Sequence, residues 1–339
     1  MTEPIPLSVL DQSPVRSGGT ALDAVNDTIA LARHCERLGY RRFWVSEHHA
    51  SGSLVGCAPE ILLARLGAET HAIRLGSGGI MLPHYSPYKV AEVFKLLATM
   101  YPGRIDLGVG RAPGSDQYTA AALAYGSRVG AEYFPNKVQD LEALLRDAPP
   151  PTPGLEQARA FPSVAVPPVL WMLGSSPDSA HLAAALGLPY SVAHFINPRV
   201  PEDIFRTYRQ RFQPSAVAER PHTSLGLFVL CADTEAHALR LSKCRDLMYL
   251  RYAQTAHGLP VPSLSESDAY TFDARELAFL RNNGRSAAVG TPEQVCVQLR
   301  AIAGRFGADE LVIVTITHDL RDRLRSYELL AQAWPAVHA

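Results

Sequence analysis

Three segments end apolar runs on residues that do chemistry: Phe43-Trp44-Val45-Ser46-Glu47-His48-His49, Ile105-Asp106-Leu107-Gly108-Val109-Gly110-Arg111 and Val169-Leu170-Trp171-Met172-Leu173-Gly174-Ser175-Ser176. A histidine at such a position can act as a general acid or base near neutral pH. An arginine grips anions with a two-pronged fork. Side chains alternate along extended chain, so His48 and His49 are expected to point to different sides, one toward a cleft and the other beneath a loop. Hydrogen-bonded loop histidines are the plainer alternative. Metal binding is disfavoured, since no His-Glu-x-x-His pattern is present and adjacent residues rarely chelate one ion.

Gly108, Gly110 and Gly114 imitate a dinucleotide fingerprint but miss its spacing. The third glycine falls one position late, and Pro113 stands where a helix should already run. Arg111 is read either as a phosphate ligand or as one half of a surface ion pair. In Gly174-Ser175-Ser176-Pro177-Asp178, Ser176 reads as a helix N-cap and Pro177 as the first helical residue. Free amides and the helix dipole there favour phosphate. Ordinary capping is the competing reading, favoured by Asp178, which already brings negative charge. Leu75-Gly76-Ser77-Gly78-Gly79-Ile80-Met81 places small residues inside a strand. Close approach of a flat ring would explain them, and so would a bulge. No Gly-x-Ser-x-Gly elbow supports a nucleophilic hydrolase.

Positioning these groups together requires an alternating scaffold. Strand-like runs at Leu7–Leu10, Phe43–Ser46, Ile73–Met81, Ile105–Val109, Val169–Leu173, Tyr190–Ile196, Leu225–Cys231 and Glu310–Ile316 interleave with helical stretches at Ala21–Leu38, Pro59–His71, Pro87–Tyr101, Ala131–Arg146, Pro177–Leu186, Pro201–Phe212, Thr234–Tyr252, Pro292–Phe306 and Leu320–Ala333. Gly39 reads as a helix-closing glycine. Such alternation predicts a parallel sheet, and the count fits an α/β fold of the (β/α)₈ TIM-barrel type. Polar inserts are expected after strand 4 (Ala112–Gly130) and after strand 7 (Gln254–Ala288). A doubly wound open sheet is the alternative. In a barrel, ligands gather at the carboxyl ends of the strands, where the three segments stop.

The chain has 339 residues, 47% hydrophobic and 19% charged, with a formal net charge of −1. That balance gives no electrostatic argument for nucleic acid or an anionic membrane. No run approaches a membrane span, and Met1 to Pro6 shows no signal-peptide pattern. Cys35, Cys57, Cys231, Cys244 and Cys296 are dispersed, so a reduced cytoplasmic protein is expected. One domain over residues 1–339 is expected as well.

Taken together, Phe43–His49 with Pro59-Glu60, Gly76–Pro83 with His84-Tyr85-Ser86-Pro87, Gly103–Gly114, and Leu173–Ala180 with Leu186–Tyr190 resemble the bacterial luciferase-like flavin monooxygenases, in particular their single-chain, non-luminescent members. The resemblance is closest from Leu7 to Phe195 and looser beyond. It implies a TIM barrel that takes reduced FMN as co-substrate at its carboxyl face. By position, His48 matches the histidine acting near the oxygenated flavin. Gly78-Gly79 match a small-residue pair at a non-proline cis peptide behind the flavin ring, beside Ser77. Arg111 and Ser175-Ser176, following Gly174, match the phosphate ligands. The chain departs from the pattern in carrying Gly110 where the luminescent enzymes have a reactive cysteine, and in its insert at Ala112–Gly130.

The resemblance further implies a separate NAD(P)H:flavin reductase, O₂ and a small apolar substrate such as an aldehyde, and a homodimer. Two other functions stay open. The same fold carries F420-dependent hydride transfer, and a flavin-binding protein without turnover or a phosphate-site barrel lyase would share these features.

Overall fold

The computed structural model describes residues 5–112, 114–125, 131–255, 257–282 and 287–336. Residues 1–4, Pro113 and residues 126–130 of the first insert, and residues 256 and 283–286 of the second, lie outside the described residues.

In chain order the elements are β1 (Leu7–Asp11), α1 (Ala21–Arg37), β2 (Arg42–Val45), α2 (Pro59–Glu69), β3 (Arg74–Met81), α3 (Pro87–Met100), β4 (Ile105–Gly110), α4 (Gln117–Ala124), α5 (Phe134–Leu145), β5 (Val169–Gly174), α6 (Pro177–Ala185), β6 (Tyr190–Ala193), α7 (Ile204–Arg211), β7 (Thr223–Cys231), α8 (Glu235–Gln254), α9 (Leu264–Ala269), α10 (Ala274–Asn282), β8 (Ala287–Gly290), α11 (Pro292–Phe306), β9 (Glu310–Val314) and α12 (Leu320–Ala336). Every strand pair is parallel. Strands run in the order β6-β5-β4-β3-β2-β1-β9-β7, and β6 pairs back to β7. Eight strands therefore close a TIM barrel, which excludes the open-sheet alternative.

Local chemistry sets the boundaries. Thr20 caps α1 with its side chain, and Gly39 follows that helix at φ +80°. Thr291 does the same for α11, which ends on Gly307 at φ +64°. Ser176 and Pro177 open α6 as expected.

The departures from the sequence reading lie in the second half and in the inserts. β6 stops at Ala193 because the His194 and Asn197 amides turn back to Val192 and Ala193. The stretch after β4 holds a helix, α4, capped by the Asp116 carboxylate. The excursion at 254–288 is not irregular throughout: it carries α9, α10 and a further strand, β8. That strand pairs with Phe228–Cys231 of the nine-residue β7, beyond the point where β6 leaves it.

Alternation divides each strand between two environments. Phe43, Val45, Leu75, Leu107, Val109, Leu225 and Leu311 face the helices. Trp44, Trp171, Phe228, Val312 and Val314 belong to a separate apolar cluster with Leu10 and Phe195, capped by Cys244 and Met248 of α8. Gly76 makes room in this second set, because a Cβ there would lie 2.8 Å from Trp44 Cδ1. Toward the amino ends of the strands, Arg42 joins Asp106 and Glu310 at 2.6 Å each. Its guanidinium sits 4.7 Å from the centre of a Trp171 ring. Ser8 and His222 also bond Glu310, and Trp44 Nε1 donates to Asp106. The lower barrel is thus filled by a buried ionic cluster and the upper barrel is left for ligands.

Candidate functional site

A cavity of about 610 Å³ opens at the carboxyl ends of the strands. That volume falls in the ordinary range for small-molecule and cofactor sites. Leu10, Trp44, Leu173, Phe195 and Val312 form its apolar interior, and Phe134 and Pro135 of α5 close one side. Its polar end holds Arg111, Ser175, Ser176, Asp178 and Ser179. These polar groups come from neighbouring strands: Val109 of β4 pairs with Met172 of β5, so the chains leaving both strands emerge side by side.

Of the residues singled out in the sequence, Gly78, Gly79, Arg111, Gly174, Ser175 and Ser176 line this cavity. Arg111 is exposed and makes no hydrogen bond or ion pair among the described residues, against the surface ion-pair reading. The Ser175 carbonyl accepts from Asn197 Nδ2 at 3.0 Å, and Ser179 Oγ bonds the Ser176 carbonyl at 2.7 Å, so the loop before α6 is fastened from two directions.

The five glycines on the wall fall into two classes. A Cβ on Gly78 would lie 2.5 Å from Leu10 Cδ1, on Gly79 2.6 Å from the Gly108 carbonyl, on Gly174 2.2 Å from Ser179 Oγ and on Gly226 3.0 Å from Phe195. A Cβ on Gly110 would meet nothing within 4 Å. Gly79 is held by backbone packing, Gly78, Gly174 and Gly226 press on side chains, and Gly110 borders open space. The Gly78–Gly79 peptide is cis, and the β3–β4 register shifts there, so the bulge proposed for this strand is present as well.

Ser77 and His48 do not line the cavity. The Ser77 hydroxyl is buried and donates to the Gly108 carbonyl at 2.9 Å. His48 is half-buried, its amide held by the Gly56 carbonyl at 2.7 Å and its Nδ1 3.0 Å from Ser46 Oγ. Ring burial, with a smaller contribution from His49, pushes its pKa down to about 4. Nε2 has no partner among the described residues. His49 takes the opposite side: its Nε2 meets Glu47 Oε1 at 2.6 Å. Fully buried Glu47 also accepts from Tyr85 Oη at 2.8 Å and from the Met81 amide at 2.9 Å. Lys137 of α5 binds the Pro83 and Tyr85 carbonyls at 2.8 and 2.9 Å, fixing the turn after β3.

Phe134, Leu182 and Phe195 are wall residues that sequence reasoning missed, because an apolar residue on a helix or strand looks the same whether it faces a core or a cavity. The charge cluster of Arg42, Asp106 and Glu310 was missed too. Its only signal was charge inside otherwise apolar strands.

Residues 5–310 match the family model described as luciferase-like monooxygenase. The chain is similar to N-acetyl-S-alkylcysteine monooxygenase of Bacillus subtilis, 37% identical over 333 residues that cover 97% of this chain and 98% of the relative. Among solved structures, apo-MsnO8 is 41% identical with a TM-score of 0.88, covering 97% of this chain and 98% of that one. The oxygenating constituent of 3,6-diketocamphane monooxygenase from Pseudomonas putida, solved in complex with FMN, has a TM-score of 0.72 over 98% of both chains. At 19% identity it shows the shared fold alone.

Proposed function

This chain belongs to the luciferase-like monooxygenase family, and from that premise we propose that it uses reduced FMN and O₂ to oxidise a small apolar molecule such as an aldehyde, with FMNH₂ delivered by a separate NAD(P)H:flavin reductase to a homodimer of single-domain subunits. The observation that supports this reading is the cavity of about 610 Å³, lined by apolar residues together with an arginine that is unpaired among the described residues and the opening of α6.

The residues present fit the cofactor. Arg111 would bind the phosphate with Ser175 and Ser176. Gly78 and Gly79, beside Ser77 of the same strand, would let the flavin approach bare backbone, and Gly110 would leave room for it. Reduced flavin, when bound, supplies the two electrons that divide O₂ between substrate and water. Leu10, Trp44, Leu173, Phe195 and Val312 would exclude water from that chemistry. His48 follows the end of β2 and lies outside the cavity lining, and its proposed role is to hold or pass a proton for the bound flavin, the ring being neutral at pH 7 with a pKa of about 4.

An oxygen-consumption screen tests this reading. Photoreduced FMN would be mixed with the protein, O₂ and a panel of aldehydes and N-acetyl-S-alkylcysteines, comparing oxidised product with released peroxide. Coupled product is the expected result. Turnover with reduced F420 and none with FMNH₂ would replace the reading with hydride transfer, and flavin binding without turnover on either would leave a binding protein.

A further inference from the structure

The lining of the cavity contains a carboxylate as well as a guanidinium. Asp178 stands in the first turn of α6, exposed, on the same wall as Arg111, Ser175 and Ser176. Among the described residues its carboxylate makes no hydrogen bond and no ion pair, with Arg111 or with any other group. Arg111 is likewise unpaired. Among the described residues that line the cavity, a phosphate seated here meets one guanidinium and one carboxylate, so their side chains sum to no net charge. The opening of a helix attracts anions, and Asp178 supplies one of its own at that place.

We infer that Asp178 is an affinity-setting residue: its carboxylate repels the flavin phosphate and holds binding weak enough for the flavin to exchange between turnovers. This rests on the FMN reading above, and it concerns how tightly the chain holds the phosphate rather than whether it does. Two like charges sharing a partly wet site repel by an amount that salt screens, whereas a hydrogen-bonding role for Asp178 would be nearly indifferent to salt.

The test is a fluorescence titration of the full chain with oxidised FMN and with riboflavin at about 20 mM and about 500 mM salt, the two lying on either side of physiological screening. Asp178→Asn keeps the shape and removes the charge, and Asp178→Ser provides a second helix-start residue should the amide disturb α6. The expected result is FMN binding about three- to tenfold tighter at low salt, riboflavin binding unchanged, and a gain that shrinks at high salt. Unchanged FMN affinity would overturn the inference and leave Asp178 as a helix-dipole partner. Weaker binding of both flavins would also overturn it, showing that the carboxylate accepts from hydroxyls of the ribityl chain. Failure of the FMN reading itself looks different: the wild-type chain would then bind FMN no tighter than riboflavin.

Discussion

His49 reaches back to Glu47, Nε2 to Oε1 at 2.6 Å, and this bond assigns the two histidines different work. Glu47 is fully buried and holds the Tyr85 hydroxyl and the Met81 amide at the same time, so His49 helps tie the end of β2 to the turn that follows β3. His48 is left with Ser46 and a neutral ring.

Substituting the two histidines should therefore separate stability from turnover. His49→Ala removes one of three partners from a buried carboxylate and should cost about 1–3 kcal/mol in a thermal or denaturant melt. His48→Ala should keep the fold and most FMN affinity while lowering product formation about 10²-fold or more. Normal turnover in His48→Ala with loss in His49→Ala would invert these roles, and loss in neither would move the proton-transfer step to another group, His84 being the next candidate.

The pH dependence of stability carries a signed expectation. Folded His48 takes a proton only near pH 4, while the unfolded chain takes it near 6.5, so acid favours unfolding between those values. Burial would raise the Glu310 carboxyl, but bonds from His222, Arg42 and Ser8 outweigh it and hold the pKa at about 2. Its contribution is present above about 4.5 and is lost as pH falls toward 2. Melting temperature should decline as pH falls below 6.5, with His34 and His194, whose burial also lowers their pKa, adding to the slope that His48 sets. His48→Gln should reduce that slope, and an unaltered slope would mean that His48 does not contribute to it.

Arg42 compensates two carboxylates that have no access to water. Arg42→Met leaves Asp106 with Arg74 and Trp44 and Glu310 with His222 and Ser8, but removes the buried cation that joins them, and should destabilise by about 3–5 kcal/mol in denaturant unfolding. A loss below about 1 kcal/mol, the scale of a surface pair, would mean that the cluster relaxes into solvent.

How much of this was legible in the sequence follows from which signals are local. Gly39, Ser176 and Pro177 announce helix ends through their own backbone chemistry, and they stand where expected. The apolar runs of β1, β4 and β9 declare strands buried on both faces. β8 was hidden because four small residues, Ala287–Gly290, pair along one edge only, with β7. The Arg42 cluster was hidden because its partners lie 64 and 268 residues away, beyond any periodicity. Ser77 was grouped with the glycines beside it, yet its hydroxyl turns to the Gly108 carbonyl and away from the cavity.

The wall glycines should divide by experiment as they do by geometry. Gly79→Ala drives a Cβ to 2.6 Å from the Gly108 carbonyl and should destabilise the chain or reshape the cavity floor. Gly110→Ala places its methyl in open space and should leave the melting temperature unchanged while altering ligand affinity. Equal loss of stability in both variants would show that Gly110 is also a packing glycine.

The central claim is that this cavity holds FMN by its phosphate, and Arg111→Ala tests it most directly. Titrating wild type and variant with FMN and with riboflavin isolates the phosphate, because the two ligands differ in nothing else. Loss of a charge-assisted contact should weaken FMN binding by about 1.5–3 kcal/mol, roughly ten- to a hundredfold, and leave riboflavin almost untouched. Equal weakening of both ligands, or of neither, would contradict the claim and place the phosphate, if the protein binds one, away from Arg111.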